Sequence, residues 1–511
     1  MRALLICIAA AMATLFCLPF CQTAAQAAGR LKLTVVDRDT GKPIACRMHL
    51  KSADGRPRRV RGLPFWHDHF VFSGEVVLNL PRGTYTFELE RGPEYLIRTG
   101  HFVINNGDND SQQVDLKRIV DMSAEGWWSG ELHVHRPVED IELLMLAEDL
   151  HVAPVITWWN DRNEWQRRAV PEEPLIRFDE NRYYHLLAGE DEREGGALLY
   201  FNLNEPLPIT GASREYPSPM TFLKQARRQP GVWVDVEKPF WWDAPVWVAS
   251  GMVDSIGLAN NHQCRDQMLE NEAWGRPRDA ERLPPPRGNG MWSVEIYYHL
   301  LNCGLRLPPS AGSASGVLPN PVGYNRMYVW CGDDFTYDAW WENFRRGRVV
   351  VTNGPLLRPL AEGRHPGHVF QAEAGERLNF SIDLNLSTRD KISYLEIIKN
   401  GEVEKSIRLE EYAQTGRLPP IDFDASGWFL IRAVTDVENT YRFASSGPWY
   451  VEIGEQSTRI SRTSAQFFLD WVDQRIGRVK IDDDQQRDEV LSYHREAREF
   501  WQQRVEDANA E

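Results

Sequence analysis

The sequence predicts a multidomain α/β plus all-β fold: an α/β barrel flanked by two small β-sandwiches and followed by a helical tail. Three patterns predict it. Short runs alternate apolar and polar residues on both sides of a middle region, apolar runs alternate with helix-like stretches within it, and the C-terminus has helical spacing. At about 100–200 residues per domain, 511 residues suit two to four domains. With 42 % hydrophobic and 26 % charged residues, the chain is neither disordered nor an integral membrane protein. Lys and Arg number 58 against 73 Asp and Glu, for a net charge of -15, which argues against a nucleic-acid partner. The 19 Trp are about three times ordinary usage.

Residues 1–27 read as an export signal, with Arg2, an apolar run over 3–20, and Ala25-Gln26-Ala27 as the cleavage site. The mature protein is therefore expected to be secreted or periplasmic. No other run is apolar enough to span a bilayer. Cleavage leaves Cys46, Cys264, Cys303 and Cys331, which lack zinc-site spacing and read as buried free thiols, although two disulfides are also open to them.

Residues 28–118 alternate as in Leu31-Lys32-Leu33-Thr34-Val35, with turns at Asp39-Thr40-Gly41-Lys42-Pro43 and Pro81-Arg82-Gly83. This predicts a β-sandwich, and the Thr40–Ile44 and Leu80–Tyr85 runs resemble the prealbumin-like regulatory module of carboxypeptidases. Over 119–362 the order is strand (Leu132-His133-Val134-His135), helix (139–151), strand (Ala153-Pro154-Val155-Ile156-Thr157-Trp158), the pattern of a parallel α/β unit. Later apolar runs near 184–188, 198–202, 232–236, 255–259 and 349–352 supply further strands of a barrel, with its chemistry at their C-terminal ends. Alternation returns over 363–456, clearest in Leu378-Asn379-Phe380-Ser381-Ile382. In the tail, 457–511, Thr463 or Ser464 and then Asp482 are the expected helix caps.

The sharpest chemical feature is Gly130-Glu131-Leu132-His133-Val134-His135. Period two on a strand puts both imidazoles on one face, about 6–7 Å apart at the backbone, which two ring nitrogens can close onto one ion. No Gly-x-Ser-x-Gly, P-loop or dinucleotide glycine pattern is present.

The run from Gly126 to His135 resembles the first-strand motif of the polymerase-and-histidinol-phosphatase (PHP) superfamily, specifically its CehA/McbA branch. Leu187-Ala188-Gly189-Glu190, Asn302-Cys303-Gly304-Leu305-Arg306-Leu307 with Ala311-Gly312-Ser313, and Gly347-Arg348-Val349-Val350-Val351-Thr352-Asn353-Gly354-Pro355 resemble later motifs in the same order, over about residues 120–360. The resemblance implies a distorted (β/α)7 barrel holding one to three divalent metals that activate water.

Carried over by residue, His133 and His135 match the paired histidines, Glu190 the following carboxylate, and Asp140 lies near the acidic residue after the pair. The sequence departs from the family at three places. Trp158, Trp159 and Asn160 stand where Asp-His is usual, Lys238-Pro239 replaces His-Pro, and Ala314-Ser315-Gly316 replaces Asp-x-His. An ammonium at Lys238 repels a nearby ion yet neutralises Glu190 or Asp140 in its place. The expected cofactor is thus one divalent ion rather than three, zinc or manganese, on His133, His135, Glu190 and His262, with a metal-free site as the other reading. Asp140 and Asp161 are the candidate general bases. Trp158, Trp159, Trp241 and Trp242 with Asn160, Asn260 and Asn261 suit an aromatic wall for a sugar ring.

Two functions follow as expectations. The first is a secreted metal-dependent hydrolase acting on an ester, amide or phosphate-type bond of a small molecule or glycan. The second is a degenerate barrel that binds carbohydrate or protein without catalysis.

Overall fold

The computed structural model describes residues 28–455 and 458–511; the expected export signal at 1–27 lies outside them. The described chain is multidomain and mostly sheet, with 37 % strand and 21 % helix. No helix among the described residues is long and apolar enough to cross a membrane.

In the first sandwich, strand Ala28–Asp37 lies between Glu75–Pro81 and Asn109–Leu116. A five-stranded sheet packs over it, in the order Phe65–Trp66, His69–Phe72, Cys46–Ser52, Gly83–Glu90, Arg98–Ile104. Alternation builds this core directly: along Glu75–Pro81 the apolar Val76, Leu78 and Leu80 face in and Glu75, Val77 and Asn79 face out.

Seven strand segments then close a circuit. Val152–Trp159 pairs in parallel with Arg182–Arg193. Gly196–Phe201 and Trp233–Val236 follow antiparallel, and Ser255–Ala259 and Pro309–Ala311 follow in parallel. Residues 130–135 complete the ring, because the Leu132 N–H donates to the Ala311 carbonyl at 3.0 Å and the Ile156 N–H to the Val134 carbonyl at 2.9 Å. The sheet is therefore mixed, against the expectation of parallel α/β units throughout. Arg193 pairs with Gly196 across a two-residue turn, which is too short for a crossover helix and forces an antiparallel step.

The expected helix at 139–151 is shorter, Ile141–Glu148, and buries Ile141, Leu144 and Met145. Asp149 ends it at φ 51°, an unusual conformation for a residue with a side chain. Arg91, Arg118 and Arg182, at 2.7–2.8 Å from its carboxylate, hold it there.

The second sandwich sets the sheet Leu356–Ala361, Leu378–Ser387 and Arg417–Phe423 against Gly427–Thr435 and its neighbours. Phe380, Ile382, Phe423, Phe429 and Trp449 fill the space between. Phe443–Ser446 also pairs with Val349–Thr352, so the strand expected in the barrel at 349–352 lies outside the seven-member circuit and joins this sandwich.

Two helices form the tail, Arg462–Ile476 and Asp484–Glu506. Their caps are Ser461 and Asp483 rather than Thr463 or Ser464 and Asp482: Ser461 accepts the Ser464 N–H at 3.2 Å and Asp483 the Gln486 N–H at 2.9 Å. Both caps sit in the extended conformation a helix start requires. Asp483→Ala is expected to cost about 1 kcal/mol, read as a lower urea midpoint with unchanged slope. Arg475 ties the tail to the barrel. Its buried guanidinium contacts Asp243 at 2.5 Å and Glu215 at 2.6 Å, and Trp501 donates to the Pro245 carbonyl at 3.0 Å. The four described cysteines are free and buried.

Candidate metal centre

The first strand of the circuit presents the histidines as its period dictates. Leu132 and Val134 are buried in apolar clusters, and the two imidazoles share the other face with Nε2 atoms 3.0 Å apart. Glu190, on Arg182–Arg193, brings Oε2 to 3.1 Å from His135 Nε2 and 3.6 Å from His133 Nε2. All three side chains are nearly inaccessible. Gly189 makes this approach possible: with no side chain there, the Trp158 ring packs flat beneath the strand.

One neighbour that sequence reasoning missed, Glu237, completes the site. Glu237 follows strand Trp233–Val236, and its Oε1 faces His133 Nδ1 at 3.4 Å. Its other oxygen takes the Lys238 ammonium and the Trp241 indole N–H, the latter at 3.0 Å. Lys238 thus pairs with Glu237, and not with Glu190 or Asp140 as expected, because the two leave the same strand end side by side. Glu237 gives His133 a carboxylate on Nδ1, the arrangement that turns Nε2 toward a metal. An acidic residue beside a lysine reads as an ordinary ion pair in sequence, and only the fold places His133 against it.

The trio passes a test of fit. Zinc bonds of about 2.0–2.2 Å put tetrahedral neighbours about 3.3–3.6 Å apart, against 3.0, 3.1 and 3.6 Å here. One N–H···N bond accounts for the histidine pair, yet the buried Glu190 Oε2 faces only these two ring nitrogens, at 3.1 and 3.6 Å, and makes no well-aligned hydrogen bond. Glu190 and Glu237 against Lys238 leave one negative charge in a buried site, a deficit that a cation or an extra proton must fill. Burial works against charge on His133, but Glu190 and Glu237 outweigh it and raise its pKa to about 10. Burial opposes ionisation of Glu190, and the two histidines overcome it, holding the carboxyl well below its usual range.

A second group, His49, Asp68 and His69, has comparable spacing. There Arg47 Nε donates to His49 Nε2 at 3.1 Å, so that nitrogen is closed to a metal, and Nδ1 faces Asp68 at 3.1 Å.

Several expected site residues lie elsewhere. His262 is outside the trio, its ring 5.5 Å from Phe240, and burial followed by the Lys238 charge lowers its pKa to about 3. Trp158, Trp241 and Trp242 are core residues, only 1 %, 1 % and 4 % exposed, because large rings pack where volume must be filled; of the three, Trp158 borders the pocket. Asn260 donates to the Gly257 carbonyl and Ser293. Buried Asn261 accepts from Asn320 through its carbonyl. Asn160 sits at φ 50° and clasps Glu192 by accepting its N–H at 3.0 Å. The polar groups of Asn160 and Asn260 are thus spent on the fold.

Trp159 does reach the surface. Its ring lies 5.1 Å from that of His135 and walls a pocket of about 800 Å³. Asp161 lines the same pocket and accepts the Gly211 N–H at 2.8 Å, whereas Asp140 is 3.6 Å from Arg136.

No family model and no curated protein matches the chain. Among solved structures it is similar to the Bacillus anthracis TIE protein, at 22 % identity over 22 % of this chain and 20 % of that one, with a TM-score of 0.15. The chain thus spans about a fifth of that relative, and the likeness carries no argument.

Proposed function

We propose that the chain is a metal-dependent hydrolase of PHP-like type, exported by the segment at 1–27, with one divalent ion on His133, His135 and Glu190. The observation that carries this is the convergence of two imidazole nitrogens and a Glu190 oxygen within ligand distance of one another, with His135 opening onto the pocket. The seven-membered strand circuit, with the His-x-His pair on its first member, supports a PHP-like barrel. When bound, such an ion supplies Lewis acidity, making water nucleophilic at neutral pH and polarising a carbonyl or phosphoryl group.

The protein's own residues do the remaining work. Glu237 orients His133 through Nδ1, and Lys238 neutralises Glu237 so that it does not recruit a second cation. Of the two expected general bases, Asp161 is the one with access to the pocket. Trp159 shields His135 from bulk water on the pocket side.

The test is elemental analysis of protein purified without chelator, together with hydrolysis of p-nitrophenyl acetate, p-nitrophenyl phosphate and an anilide. About one zinc or manganese per chain and chelator-sensitive cleavage of at least one of these are expected. Metal-free protein that cleaves none of them refutes the reading.

A further inference from the structure

Arg136, directly after His135, is a buried cation whose donors the fold leaves unused. Its side chain is 4 % exposed, its nearest carboxylate is Asp140 at 3.6 Å, beyond hydrogen-bond reach, and its other contact is the Trp66 face at 5.7 Å. Other buried arginines here are each anchored by bonds to protein acceptors. Arg193 reaches Asp191 at 2.6 Å, Arg475 reaches Glu215 and Asp243, and Arg326 donates to the carbonyls of Gly323 and Glu148. No Arg136 nitrogen is among the fully buried unpartnered atoms, so with no protein acceptor in reach among the described residues its five N–H groups are open to solvent at the pocket, where a ligand can supply the acceptor. Arg136 lines the pocket that His135 and Trp159 also line.

From this we infer that the pocket takes a small anionic substrate whose carboxylate, sulfate or phosphate group is held by Arg136, resting on the hydrolase reading above. The guanidinium fork matches two oxygens of such a group at once. Trp159 offers an apolar wall to the rest of the molecule, and Arg162, 5.1 Å from that ring, adds positive charge at the rim. The pocket volume of about 800 Å³ suits a single small molecule. Arg136 and His135 line the same pocket, so an anion held by Arg136 occupies the cavity onto which the trio's His135 opens.

The probes are benzoate and phenyl phosphate, with benzamide as the neutral control, titrated by calorimetry into the purified protein and into Arg136→Gln and Arg136→Lys. At least one anion is expected to bind about tenfold or more tighter than benzamide, and Arg136→Gln to remove that preference while Arg136→Lys keeps part of it. Whichever anion binds tighter identifies the oxyanion. Equal binding of all three probes, or anion binding indifferent to Arg136→Gln, overturns the inference. So does a lower unfolding midpoint in Arg136→Gln with unchanged binding, which marks the side chain as packing for Trp66. Metal content of the same preparations separates the two readings. Bound metal without anion preference overturns this inference alone, and Arg136-dependent anion binding to metal-free protein supports it while refuting the hydrolase.

Discussion

On the proposed metal-hydrolase reading, His135→Ala is expected to lower affinity for the divalent ion by more than about 100-fold, above the loss typical of an outer-shell partner, and to abolish hydrolysis with it. His135 contributes the nitrogen closest to Glu190, at 3.1 Å, and it lines the pocket. Without it, His133 and Glu190 are two donors 3.6 Å apart, too few to hold a metal against solvent. Metal content is the direct measure. The second measure is the gap in unfolding midpoint between metal-loaded and chelated protein: an ion at 100 times its dissociation constant stabilises the native state by about 2.7 kcal/mol, and this gap should vanish in the variant. If His135 were only a hydrogen-bonded core residue, the variant would be less stable with and without chelator, and its metal content would not change.

Gly189→Ala is expected to destabilise the protein by about 3 kcal/mol or more, at the upper end for overpacking. A Cβ at position 189 would stand 1.7–2.2 Å from three atoms of the Trp158 indole. The ring has no room to retreat, being 1 % exposed and stacked on Tyr200 with centroids 6.0 Å apart. The strand must therefore shift, and Glu190 is its next residue, so metal affinity falls together with stability. Adding Trp158→Leu should recover part of the stability, since the two changes act on one contact. Wild-type stability of Gly189→Ala alone would refute the packing described for this strand.

Legibility differed by residue for physical reasons. The His133 and His135 pair was readable because a period of two needs no tertiary information, and Glu190 entered through the resemblance of its Gly-Glu strand end. Glu237 and Arg136 were not, because a charge gains meaning only from what faces it. The tryptophans misled in part: an indole serves equally as core filler and as pocket wall, and of the adjacent Trp158 and Trp159, which both border the pocket, Trp158 is buried and Trp159 half-buried. The helix caps were misplaced by one to three residues because Ser, Thr and Asp cluster there and backbone conformation selects among them.

By itself the sequence determined the alternating sandwich strands, the strand–helix–strand start of the middle region, the amphipathic tail and the shared face of the two histidines, all of which depend on short-range periodicity. Tertiary structure alone decided that Glu190 and Glu237 meet those histidines, that Lys238 is taken up by Glu237, that His262 stands apart and that Arg136 is left without an acceptor. These are encounters between groups up to about a hundred residues apart, and their outcome rests on strand register, burial and the local balance of charge.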